Sequence, residues 1–287
     1  MKNKKNKPRK KMCLWQRIVM IIAIVLLTAG LGFLLFPIVS NTVGQVRADN
    51  IIQTYKTAVQ SVYDPASPDE MPPELAQITS TTRKEAEKKG EVDKEGYAVD
   101  KNGARISEYP LIFQGDLDRF HEDSIRYNKS LINHQGTPDM LNYQYAALDP
   151  DDYGVTAAYA YLEADTIGLH LPIYLGADDW TMSCGAAHLY GTSLPLNMKD
   201  THVAIAGHTG YIGRIFFDNI RNLQIGDELT ITNYWETVYY RVIGYREVPP
   251  YQSADLLIEN NRALLTLITC IPYNTGFGRF LVICEKI

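Results

Sequence analysis

Residues 18–39, IVMIIAIVLLTAGLGFLLFPIV, carry no charge, and no charged side chain follows until Arg47. As a helix rising ~1.5 Å per residue this run is roughly 33 Å long, enough to cross the hydrocarbon core of a bilayer. Lys2, Lys4, Lys5, Lys7, Arg9, Lys10, Lys11 and Arg17 precede it with no acid among them. The run is long for the apolar stretch of a cleaved signal, and no A-x-A site follows, so the reading is a retained anchor. The basic flank stays in the cytoplasm, which puts residues 40–287 outside the cell membrane.

Of the 28 bases in the chain those eight lie before the span, leaving 20 against 33 acids. An acidic external part argues against nucleic acid as a partner. Cys13 sits at the cytoplasmic edge of the span, and Cys184, Cys270 and Cys284 lie beyond it. Three is odd, so at least one external thiol has no internal disulfide partner. A free cysteine is either a small buried hydrophobe or a reactive group.

Helical spacing of Val46, Ile51, Tyr55 and Val59 continues a helix over 41–63, weakened at its start by Gly44 and ended by Asp64-Pro65. A polar stretch, about 65–115, reads as a surface insertion or partly flexible linker with a short charged helix near 80–90. Residues 116–134 suggest another helix, with Phe120, Ile125 and Leu131 facing inward. No internal repeat is apparent. From about Gly154 short β-prone runs are separated by turn residues: TIGLHLPIYL, THVAIAG, ELTITN, TVYYRVIGYREV, ALLTLITC and RFLVICEKI. Phe280, Val282 and Cys284 alternate with Leu281 and Ile283. This pattern predicts an all-β barrel or sandwich, and closure into a barrel would remove open edges. The expected divisions are a basic tail (1–17), a transmembrane helix (18–39), a helical N-terminal region (40–150) and a β-barrel domain (151–287). No second apolar span follows the last strand.

The stretch TLITCIPYNTGFGRF, residues 266–280, puts Cys270 at the end of an apolar strand, since Pro272 cannot continue a central one. A thiol there sits where a barrel opens toward solvent, but it needs a base or cation beside it to become a nucleophile. Of six histidines, His121 and His134 fall in the polar half, His170 in an alternating strand and His202 at a strand start. His208 follows VAIAG and precedes Thr209-Gly210, so it too ends a strand; the bland alternative is a turn histidine. Arg279 can return on a neighbouring antiparallel strand to face Cys270 and hold an oxyanion through its forked donors. Its bland alternative is a rim arginine in a surface ion pair.

Thr266-Leu267-Ile268-Thr269-Cys270 with Arg279 resembles the TLxTC…R signature of the sortases, membrane-anchored cysteine transpeptidases of Gram-positive bacteria. Ala206-Gly207-His208 is similar to the context of that family's histidine. Segments 171–178 and 185–196, Cys-Ile-Pro-Tyr and Tyr127-Asn128 resemble the pilus-type, class C members. The resemblance implies a closed eight-stranded β-barrel with N-terminal helices. It implies Cys270, His208 and Arg279 as catalytic residues, Thr266 and Thr269 as substrate-binding, and no metal or cofactor. Cys270 would attack the Thr–Gly bond of an LPxTG-like sorting signal on a surface or pilin protein. The thioacyl group would then pass to a lysine amine of a pilin subunit. A peptidoglycan precursor as acceptor, anchoring single proteins, is the alternative. A non-catalytic membrane-tethered β-domain with an inert Cys270 is a third reading; a papain-like protease lacks the helical context its nucleophile requires. The sequence departs from class C in two respects: no second, C-terminal membrane span is expected, and Asp64-Pro65-Ala66 and Asp149-Pro150-Asp151 are its only Asp-Pro pairs. Neither falls in the expected lid region, about 133–145, so no lid of the Asp-Pro-aromatic kind is expected.

Overall fold

A computed structural model describes residues 13–63, 75–136, 144–155, 158–211, 213–271 and 277–287. Helix α1, Leu14–Tyr63, runs unbroken through the apolar span, Pro37 included, and out the other side. It is the one described helix long and apolar enough to cross a membrane, and no described residue buries its apolar part. The external part buries Gly44, Ala48, Ile52, Tyr55 and Ala58, so its inward face is offset from the sequence expectation. Val46 is exposed and Ile51 half-buried, because small residues let the helix lie close to the barrel. Tyr55 reaches furthest in; its hydroxyl donates to the Tyr159 carbonyl at 3.1 Å.

The expected linker is ordered through its described part, 75–113. Helix α2, Arg83–Lys89, is capped by Thr82, whose side chain accepts from the Glu85 amide, and ends at left-handed Gly90. Ala86, Val92 and Phe113 form a small core of their own. Two successive turns, from Asp93 and from Asp100, repeat the same device seven residues apart. Each aspartate accepts the amides two and four residues on, and Gly96 and Gly103 take positive φ. An internal repeat therefore exists, too short and polar to register as hydrophobic periodicity. Residues 64–74 lie outside the described residues.

Helix α3, Gln114–Leu131, buries Leu117, Phe120, Ser124 and Asn128. Ile125 and Leu131, expected inward, are only half-buried. The buried polar pair is satisfied: Asn128 accepts from the Leu194 amide at 2.7 Å and donates to its carbonyl at 2.9 Å.

Eight strands follow: β1 (Ala158–Ala164), β2 (Leu169–Leu175), β3 (Ala186–His188), β4 (Thr201–Ala206), β5 (Glu228–Asn233), β6 (Thr237–Val248), β7 (Ala263–Ile271) and β8 (Gly278–Lys286), with a short helix α4 (Asp179–Cys184) between β2 and β3. They close into a barrel in the order β1-β2-β3-β4-β7-β8-β6-β5. The β2–β3 and β4–β7 pairs are parallel and the rest antiparallel. Closure leaves no unpaired edge. The interior holds Ile173, Val203, Ile205, Leu265, Leu267 and Val282. A second apolar layer, Ala204, Ile268, Leu281, Val248 and Leu256, lies on the outer side of β4, β7 and β8. Leu281 is thus fully buried although it alternates with Val282, because the β6–β7 connection folds over it.

Candidate active site

Strand register builds the site. In the β7–β8 ladder Cys270 is paired with Arg279 and Ile268 with Leu281. In the parallel β4–β7 ladder Ala206 lies beside Ile268. The Gly207 amide extends that ladder by donating to the Ile268 carbonyl at 3.0 Å. Two residues further along each strand, His208 comes level with Cys270. His208, Cys270 and Arg279 line one cleft of about 70 Å³ with Met182, Leu189 and Ile268. Side chains two apart share a face, so Cys270 belongs with Ile268 on the outer wall. The cleft therefore lies on the outer wall of the barrel, near its strand ends.

The turn carrying His208 is held from behind. A Cβ on Gly207 would fall 2.5 Å from the Phe217 ring, so only glycine lets the strand end pack there. The Phe217 amide donates to the His208 carbonyl at 2.8 Å. Asp218 accepts from the Thr209 hydroxyl at 2.9 Å and from the Gly210 amide at 2.6 Å. The imidazole stacks on Tyr211 with ring centres 5.2 Å apart. Burial pushes the His208 pKa down, with Asp179 of α4 pulling it up in opposition. The net shift favours the neutral ring, the form that can accept a proton.

Cys270 is half-buried and unpaired, as are the other cysteines: Cys184 is half-buried and Cys284 enclosed. Burial raises the Cys284 thiol far above its ordinary value, which makes it inert. Arg279 donates through Nη1 to the Gly278 carbonyl at 3.1 Å. Thr269 touches the cleft but is buried, and its hydroxyl donates to the Gly207 carbonyl at 2.8 Å. Thr266 is fully buried away from the cleft, with its hydroxyl 2.8 Å from His202 Nε2. Both threonine hydroxyls are thus engaged within the protein, Thr269 at the cleft's edge and Thr266 away from it. Sequence reasoning gave no role to Asp218, which braces its own connection through Thr209 and Gly210, or to His202, whose partners Leu257 and Thr266 lie in other elements. Among the described residues no group of three or more His, Cys, Asp or Glu could hold a metal.

A model of the sortase domain matches residues 162–287. The pilus-related sortase C of Group B Streptococcus is 31% identical, over 61% of this chain and 91% of that one, with a TM-score of 0.54. The chain belongs to the sortase family. Sortase A of Corynebacterium diphtheriae is 32% identical over 59% of this sortase and 83% of that chain, at a TM-score of 0.54. Sortase A of Bacillus anthracis is 23% identical over 145 residues, and this sortase covers 65% of its length. Sortases are cysteine transpeptidases, and class C members stand among the structural neighbours.

Proposed function

We propose that this chain is a membrane-anchored transpeptidase that exchanges one amide bond for another at Cys270, with residues 40–287 on the outer side of the membrane. The observation that carries the reading is the convergence of thiol, imidazole and guanidinium on one apolar cleft. Neutral His208 takes the thiol proton as sulfur adds to the carbonyl carbon of the scissile Thr–Gly bond. Arg279 stabilises the oxyanion with its forked donors. The C–N bond breaks as His208 returns the proton to the leaving amine, which leaves a thioester on Cys270. An incoming lysine amine adds to that thioester and gives its proton to His208; the tetrahedral adduct then expels the sulfur, which recovers a proton from His208. Atoms balance without a cofactor. The half-buried cleft limits water, the competing nucleophile.

The acyl donor is an LPxTG-like sorting signal, and the acceptor is a pilin lysine, in line with the pilus-related neighbour. A second reading, attachment of single proteins to peptidoglycan, draws support from the sortase A relatives. Incubation with an LPxTG-type peptide should give an acyl adduct on Cys270 by mass spectrometry. The Cys270→Ala variant should melt like the parent and form none. An adduct that persists in the variant excludes Cys270 as the nucleophile. Pilin ladders on a gel mark polymerisation, and a monomeric wall-linked product marks anchoring.

A further inference from the structure

The connection between β6 and β7 packs against the outer wall whose residues Leu189 and Ile268 line the cleft. Leu256, within it, packs with Ile268, Leu281 and Ala204, the apolar floor that leads to Cys270. Two side chains from elsewhere grip three successive residues of this connection. Gln135, just past α3, donates through Nε2 to the Leu256 carbonyl at 3.3 Å and accepts the Ile258 amide at 2.7 Å. The same Nε2 donates to the Gly191 carbonyl at 3.1 Å, in the connection between β3 and β4. His202, on β4, holds the residue between: its Nδ1 lies 2.9 Å from the Leu257 carbonyl. A carbonyl only accepts, so the proton is on Nδ1, and Nε2 accepts from Thr266 of β7. Burial favours this neutral ring by lowering its pKa.

We propose that Gln135 and His202 form a clasp that fixes the wall over Leu256–Ile258 and so sets how the acyl-donor peptide is held in the cleft. They are positioning residues. Neither lines the cleft, so they act through the wall alone. The clasp accounts for the threonine at 266: it faces His202, four residues before the thiol, and ties the wall to the strand that carries Cys270. Gln135 joins the β6–β7 connection to the β3–β4 connection, which also takes Tyr127 and Asn128 of α3. One side chain thus holds two connections on the same side of the barrel in register.

The inference rests on the acyl-transfer reading for its kinetic arm and not for its structural arm. In the full chain in detergent, Gln135→Leu and His202→Ala should each speed amide hydrogen exchange over 249–262. Both should raise KM for an LPxTG-type peptide about tenfold, with kcat within about threefold and an unchanged rate of Cys270 alkylation by iodoacetamide. The double variant should fall short of the sum, because both side chains hold one segment. His202→Asn, which keeps a donor near the Nδ1 position, should recover most of the loss and guards against a variant that merely fails to fold. Exchange over 249–262 equal to the parent's in both single variants overturns the clasp. Faster exchange with unchanged KM overturns its role in holding the donor, as does a fall in kcat and alkylation together. If the parent itself forms no adduct, the acyl-transfer reading fails, while hydrogen exchange still decides whether the clasp holds the wall.

Discussion

Replacing Gly44 by alanine should destabilise this sortase although the same change stabilises most helices. In an exposed helix interior Gly→Ala gains about 1 kcal/mol. At Gly44 the added Cβ would lie 2.4 Å from the Gly213 carbonyl oxygen and 3.0 Å from Arg214 Cγ. The arginine stem can rotate aside; the carbonyl is main chain and cannot. An ordinary contact starts near 3.4 Å, so α1 and the loop must part by about 1 Å. Forced overpacking costs about 1–3 kcal/mol, which leaves a net loss on the order of 1 kcal/mol after the propensity gain. The displaced loop is the one that carries His208. A misplacement of about 1 Å at a catalytic group can cost on the order of 100-fold in rate. Thermal unfolding of the full chain in detergent should therefore show Gly44→Ala melting a few degrees below the parent. Acylation of Cys270 by an LPxTG-type peptide should slow between about 10- and 100-fold. Gly30→Ala, where no atom lies within 4 Å, is the control and should do neither. A Gly44→Ala protein that melts at or above the parent and acylates at the parent's rate would refute the close approach as a constraint.

Arg279→Lys should keep the charge but lose the planar fork, and acylation should fall at least about 100-fold with the melting temperature unchanged; a near-parental rate would reduce Arg279 to a structural role. His188 of β3 is wholly buried, its Nε2 donating to the Ser193 carbonyl at 3.0 Å. Its Nδ1 has no partner among the described residues. Burial pushes its pKa down to about 4, below the ordinary value near 6.5. The unfolded chain therefore binds the proton first as pH drops. The contribution is intact above about 6.5, and on the order of 3 kcal/mol is lost as pH falls to about 4. Urea unfolding across that window should show a shallower pH slope in His188→Gln, which keeps a donor and cannot titrate; equal slopes would refute the assignment.

How much of this was legible in the chain depends on the range of the interaction involved. Long β-branched strands such as TVYYRVIGYREV announce themselves locally, and six of the runs read from sequence coincide with strands of the barrel. AYAYLEA and AAH do not, since alanine has little β propensity and three residues carry no period. Gly44 looked like a defect because propensity sees only the helix; the cause of the glycine is a loop almost 170 residues away. Cys270, His208 and Arg279 were recognisable as strand-end residues, but the face on which they meet was not. That face is a matter of register, and a slip of one residue in β7 would turn Cys270 into the barrel and Thr269 out to the cleft. Thr269 bears on this choice directly. Its hydroxyl meets the Gly207 carbonyl only when it points inward, and that same bond fixes the residue before His208. A threonine at 269 thus settles two things at once: which side of the wall the adjacent sulfur occupies, and where the imidazole stands relative to it. Such a residue positions its neighbours, and its hydroxyl has value only after β4 and β7, some sixty residues apart in the chain, have paired.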